Sequence, residues 1–234
     1  MRIHLLLGAL ASAVLALVLG TDLAWAHSGA PIAPVTEGPS ATELSSLDVG
    51  WLFSGYGVKH ILLGYDHLLF LAGLALLCRQ LRDVVGVVGV FAIAYSSTLV
   101  GGTLAGIAVP GDLVDAVIAL SVGFVGAQVA FGSANRFLGA SPRWPALCFG
   151  LAHGLGLSSL LQELRLPQDE LLPSVIGFNV GVEVGQVAAL AAFIGLLAAV
   201  RAFPFPSRQQ IPAGFALMSA SSFLLAFVVL GVTL

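Results

Sequence analysis

Charge is what this sequence has least of. Among 234 residues there are only 9 Lys or Arg and 12 Asp or Glu, while 58% of the side chains are hydrophobic. A soluble domain carries roughly a quarter charged residues, so these few cannot solvate a globule of this size. Nine basic residues form no patch for a nucleic-acid backbone. There is no Walker-type phosphate loop, so no nucleotide is expected. Cysteine is nearly absent: Cys78 and Cys148 lie far apart, without a CxxC or a Cys/His spacing, which excludes a disulfide framework and a zinc knuckle. They are expected to be buried small hydrophobes. No HExxH and no Ser/Lys constellation is present, so no enzyme is expected. The alternating segments of about ten residues that build a transmembrane β-barrel are also missing.

What is present are long, continuous apolar runs. The fold class they predict is all-α, a polytopic bundle of six transmembrane helices. Arg2, the apolar stretch 3–20 and Ala24-Trp25-Ala26 follow the order of a secretory signal peptide. Residues 1–26 are therefore expected to be removed, leaving an N-terminus at His27. Residues 27–50, rich in Pro, Ser, Thr and acids, are expected to form a flexible exported leader. Residues 51–234 form one domain with spans near 56–78, 84–107, 113–131, 144–162, 173–200 and 211–232. An exported N-terminus puts Arg79, Arg82, Arg136, Arg143, Arg201 and Arg208 inside, against only Lys59 and Arg165 outside. That asymmetry satisfies the positive-inside rule and places a multi-pass protein in a bacterial inner membrane with both mature termini on the periplasmic side.

Polar groups inside such spans are costly, by about 2.5–3.5 kcal/mol each on insertion scales, and face the protein interior. The first span carries His60, Asp66 and His67. The two histidines are seven apart, within about 20° on a helix, with Gly64 on the same face and Asp66 placed to orient His67. The fourth span carries His153 between Gly150 and Gly154, a small-xxx-small face. In the fifth, Asn179, Glu183 and Gln186 make one polar stripe, and Gly177, Gly181 and Gly185 a second on the opposite face. Counting residues from the span ends puts His67, His153 and Glu183 near half-depth, with His60, Asn179 and Asp115 nearer the outside. A hydrogen-bonded packing cluster would use the same residue types. Tyr95, Ser96, Ser97 and Thr98 in the second span and Ser121 and Gln128 in the third are weaker candidates, because Ser and Thr commonly bond back to their own helix.

Three motifs in order, His60-x5-Asp66-His67, Phe149-Gly-Leu-Ala-His153-Gly and Phe178-Asn-Val-Gly-Val-Glu183-Val-Gly-Gln186, resemble the HupE/UreJ family, closest to its second branch. The resemblance covers roughly residues 50 to 200 and implies a nickel or cobalt permease-type membrane protein. It implies a metal-selecting role for His60, Asp66 and His67, joined by His153 and Glu183. The chain departs from the family pattern at Tyr95, where the family has histidine, at Gln128, where it has Glu, and at Asp115, where Glu is usual.

Imidazole with carboxylate suits Ni(II), Co(II), Zn(II) and Cu(II), and disfavours Mg(II) and Ca(II). The absence of a Met- or Cys-rich path argues against Cu(I). The expected ligand is a divalent transition metal ion, nickel or cobalt by preference and zinc or copper as alternatives, at His60, Asp66, His67, His153 and Glu183. His27, Tyr95, Asp115, Gln128, Asn179 and Gln186 are path or supporting positions. His27 would chelate through its new α-amine and its imidazole. Two functions are compatible with this set: a passive or ion-coupled permease, and a membrane metal-binding or metalloenzyme-assembly accessory protein that holds an ion without moving it. The expected partners are the lipid bilayer and the metal ion. A homo-oligomer or a metalloenzyme-maturation partner is compatible with the chain.

Overall fold

The computed structural model describes residues 45–78, 80–132, 141–164, 166–201 and 210–230. The expected signal peptide, His27 and most of the leader lie outside the described residues. Among the described residues seven helices follow one another: α1 (Ser46–Leu63), α2 (Tyr65–Leu77), α3 (Leu81–Ala105), α4 (Gly111–Phe131), α5 (Arg143–Glu163), α6 (Gln168–Arg201) and α7 (Gln210–Leu230). Helices α3 to α6 are each long and apolar enough to cross a bilayer, and α1 with α2 makes a fifth such unit. The last expected span falls on α7, where Pro212–Ala226 is apolar. The protein is an all-α polytopic membrane protein. Its outward side chains are apolar, as lipid requires: Ile93 is 72% exposed and Val187 66%.

Two boundaries differ from the sequence expectation. The first helix begins at Ser46 rather than near residue 56, so the end of the expected leader is helical. A capping box sets this start: Ser45 Oγ accepts from Asp48 N, and Ser45 N donates to the Asp48 carboxylate at 3.2 Å. The first span is also not one helix. It breaks at Gly64, and α1 and α2 meet at 68°. The glycine is there for space, since its φ of −76° is open to any residue. A Cβ would lie 2.8 Å from His60 O and 2.9 Å from His67 Nδ1, closer than real Cβ contacts allow.

Glycines also set the helix pairing. Gly177 lies against Gly50, Gly181 against Ser54 and Gly185 against Val58 and Ile61. The paired numbers rise together, so α1 and α6 run parallel. Gly150 meets Phe91, Gly154 meets Tyr95 and Thr98, and Gly102 meets Ser158, which makes α3 and α5 parallel as well. Gly214 meets Ala130 and Gly126, while Gly123 meets Ser221; α4 and α7 are antiparallel. Each pair brings backbone to backbone, the contact that small residues permit in lipid. The glycine stripe of α6 does what its spacing predicts and docks on α1. The short α2 sits among the pairs, touching α4, α6 and α7.

Pairing direction also decides how the broken helix lies. If α1 and α2 formed a re-entrant loop, α3 would run in the same sense as α1, and each reversal after it would leave α6 antiparallel to α1. The two are parallel. Together α1 and α2 therefore make one broken crossing, and the parallel register of α2 on α4, with His67 on one cavity wall with Val114 and Ile118 and Gly73 against Val125, agrees.

The α3–α4 turn is pinned to α5. Gly106 closes α3 with a φ of 68°, where a side chain would be strained. Gln162 Nε2 then donates to Ile107 O at 2.8 Å, and Val109 N to Ser159 Oγ at 2.8 Å.

Substituting Gly154 by Leu is expected to destabilise the protein by about 1–3 kcal/mol or more, the range for forcing extra bulk into a packed contact. Gly101 has open space around it, so Gly101→Leu is expected to change little. Reversible unfolding in mixed micelles, followed by circular dichroism, checks the pair.

Candidate functional site

The broken helix brings its two histidines together even though they no longer share one straight helix. The His60 and His67 rings stand edge to face, centroids 5.0 Å apart, and His67 stands 5.4 Å from His153 of α5. All three line a cavity of about 160 Å³ walled by the end of α1, the start of α2, the start of α4 and the second half of α5. Asp66 and Asp115 are on the same wall. So are Lys59, which the charge count placed on the outer side, and Glu163, just past the end of the fourth expected span. Both sit at the same end of the bundle as Asp115, which was the available signal. Acids and the lysine form the rim, and the histidines the floor. The expected topology puts the rim on the outer side.

Local geometry fixes how two of the rings present themselves. His67 Nδ1 is 2.8 Å from Asp66 Oδ1, which also accepts from the His67 backbone N–H at 2.7 Å. A carboxylate acceptor makes Nδ1 the donor and leaves Nε2 with its lone pair. In the same way His153 Nδ1 is 2.7 Å from Phe149 O, a carbonyl that only accepts. The Nε2 atoms of His153 and His60 are buried and have no hydrogen-bond partner. Buried polar atoms are rarely left so.

As they stand, no three His, Cys, Asp or Glu side chains among the described residues are arranged to grip one ion. The rings meet edge to face rather than converging on one point. On the far side of His153 an aromatic layer closes the bundle. Phe70 and Phe91 pack on its ring at 5.5 and 5.2 Å, and Phe149 packs on Phe70 and Phe124 at 6.3 and 5.7 Å.

Glu183 is not on the cavity wall. It lies in the seam between α6 and α3, where Ser96 Oγ donates to Glu183 Oε1 at 3.1 Å. Beside it the Tyr95 hydroxyl reaches Asn179 O at 3.4 Å. Gln186 is buried, with its Oε1 unpartnered. Tyr95, only 1% exposed, packs by its backbone on Gly154 and so stands between the cavity floor and this seam. Gln128 is buried on α4, away from the cavity wall, and His27 lies outside the described residues.

Among the hydroxyls, Ser97, Thr98 and Ser121 bond back to Ile93 O, Ala94 O and Ile118 O, as their helical setting predicts. Ser96 is the exception, spent on Glu183. Of the cysteines, Cys78 is buried as expected, but Cys148 is exposed; it lies on the outward face of α5, where an apolar thiol meets lipid at no cost.

Comparison with known proteins adds one finding. Residues 41–232 match the family described as HupE / UreJ protein. No curated protein and no solved structure matches the chain. With three motifs in order and a match over most of its length, the chain belongs to the HupE/UreJ family.

Proposed function

We propose that this protein is a permease for a divalent transition metal ion, nickel or cobalt, which it takes from the outer side through the histidine cavity. The observation that carries the reading is the pair of buried, unpartnered Nε2 atoms on His60 and His153 at the floor of a cavity with an acidic rim. Nitrogen donors of this kind are what borderline divalent ions prefer. The rim carboxylates Asp115 and Glu163 raise the local cation concentration, and the cavity has room for an ion that keeps several waters.

Asp66 acts here through His67, holding its ring and raising its basicity, as carboxylates behind metal-binding histidines do. Turning the Nε2 atoms toward a common ion requires the His67 and His153 rings to move against the bonds that Asp66 and Phe149 O make to them. Onward passage requires Phe70 and Phe91 to part, so the described conformation is open on one side and shut on the other. A membrane accessory protein that holds a metal for enzyme assembly would share the site without the passage. Radioactive nickel in proteoliposomes separates the two: a permease accumulates ion beyond its own stoichiometry in the lumen, and a holding protein saturates at a fixed ratio.

Three outcomes are expected for nickel binding by purified protein, read by isothermal titration. His153→Ala abolishes specific binding. Asp66→Asn weakens it about 10–100-fold, the usual effect of removing a group behind a ligand. Gly64→Ala weakens it at least about 10-fold, because a methyl group at 64 displaces both His60 and the Asp66–His67 pair. Unchanged affinity in all three variants would remove the cavity as the metal site.

A further inference from the structure

Close glycine contacts sort the helices into two bodies. Gly177, Gly181 and Gly185 of α6 all lie against α1, and Gly57 of α1 lies against α6. The remaining close glycine contacts between helices join members of a second set. Gly73 seats α2 on α4 and α7, Gly154 seats α5 on α3, Gly156 seats α5 on Val114 of α4, and Gly126 seats α4 on α7. Backbones packed so closely leave no play, so each set holds together as one unit. Gly64 alone stands between the two, where the chain bends by 68°.

Contacts between the two bodies are of another kind. Among the described residues no glycine other than Gly64 bridges them at close range. Between α3 and α6 the ties are Ser96 Oγ donating to Glu183 Oε1 at 3.1 Å and the Tyr95 hydroxyl donating to Asn179 O at 3.4 Å. Two such bonds can exchange partners as helices shift, which interlocked backbones cannot do. The metal cavity lies across the same division. Lys59 and His60 belong to α1, whereas His67, His153, Asp115 and Glu163 belong to the second body. Bonds at Nδ1 hold the His67 and His153 rings in place. The His60 ring has no such tether among the described residues, and its Nε2 is unpartnered.

We propose that α1 and α6 pivot as one body about Gly64, and that an ion in the cavity draws them inward by joining His60 to His67 and His153. The rings then converge because their helices move, and the bonds from Asp66 and Phe149 O survive. Lys59 precedes His60 and travels with it toward Asp115 and Glu163 on the second body. Its ammonium meets the rim carboxylates and closes the mouth over the ion, an attraction that strengthens as water leaves. A hinge of this form concentrates the backbone change in a few residues at the end of an element. The same geometry amplifies the motion. His60 is four residues from Gly64 and Leu47 seventeen, about 6 and 25 Å along the helix, so a shift at His60 grows about fourfold at Leu47. The pull of the ion rests on the metal reading of the cavity; the pivot does not.

The test measures distances between nitroxide labels by pulsed electron paramagnetic resonance, on metal-free protein in lipid nanodiscs carrying Cys78→Ala and Cys148→Ala. Leu47→Cys with Asp112→Cys spans the two bodies. Leu47→Cys with Leu196→Cys lies within the first, and Asp112→Cys with Trp144→Cys within the second; all four side chains are exposed. Zinc is the added ion, since it shares the imidazole preference of nickel and is diamagnetic, and saturation is set by its displacement of nickel. Zinc is expected to shift the distance between bodies by about 3 Å or more, and either distance within a body by less than about 1 Å. His60→Ala is expected to lose the shift, and Lys59→Met to keep it while releasing zinc several-fold faster. Equal shifts in all three pairs, or none between bodies at saturation, would overturn the pivot. A shift retained in His60→Ala would overturn the pull of the ion, and unchanged release in Lys59→Met the closing role of the lysine. Where zinc does not bind, ion-free protein decides: a broader distance distribution between bodies than within them supports the pivot, and equal widths overturn it. Nickel titration of the same samples is read separately, so its failure strikes the metal reading alone.

Discussion

The site depends on a helix that stops and restarts at Gly64. A straight helix would place His60 and His67 two turns, about 10 Å, apart along its axis. The 68° bend folds the second half back so that the two rings stand 5.0 Å apart. It also frees the first-turn N–H of His67 to meet Asp66, a bond the interior of a helix would have taken. Both effects need the absence of one side chain, because His60 O, His67 Nδ1 and Asp66 Oδ1 all crowd the place where a Cβ would sit. A broken helix at membrane depth is tolerated where it lines a polar cavity, and this one does.

Composition and periodicity carried much of the architecture. From α3 onward the apolar runs marked the helices to within about five residues, and the two stripes of α6 faced as their spacing implied, glycines on α1 and polar groups away from it. The capping pair Ser45 and Asp48 was legible in principle but lay inside a stretch whose composition read as loose leader. The break at Gly64 was not legible, since glycine inside an apolar run usually means close packing, and here it means a collision avoided with the His60 carbonyl four residues before and the Asp66 and His67 side chains two and three residues after. The placement of Glu183 could not be read for a different reason. Depth can be counted along a helix, but which neighbour a face meets is a long-range choice among helices, and α3 rather than the cavity lies beside it. Lys59 and Glu163 were hidden by the same limit: each looks like a solvated span end until α1, α4 and α5 are brought together.

The separation of the histidine cavity from the Glu183 seam follows from where the aromatic residues sit. Phe178 packs on His60 at 5.9 Å, and Tyr95 fills the space between His153 and the seam. An imidazole at position 95 would merge the two polar regions into one. The phenol instead keeps a buried ring as a partition and uses its hydroxyl on the seam side only.

Parallel pairing carries a cost in time. Neither α1 nor α3 packs most closely on its neighbour in sequence; α1 waits for α6, and α3 for α5. During synthesis the second half of the bent first span can meet α4 early, but its first half, α1, has no docking face until nearly the whole chain has followed. Its polar groups must meanwhile be sheltered by water, by the insertion machinery or by transient contacts with α4. A ribosome that stalls before α6 therefore leaves behind a polar, kinked span with its glycine face bare, a natural target for membrane quality control.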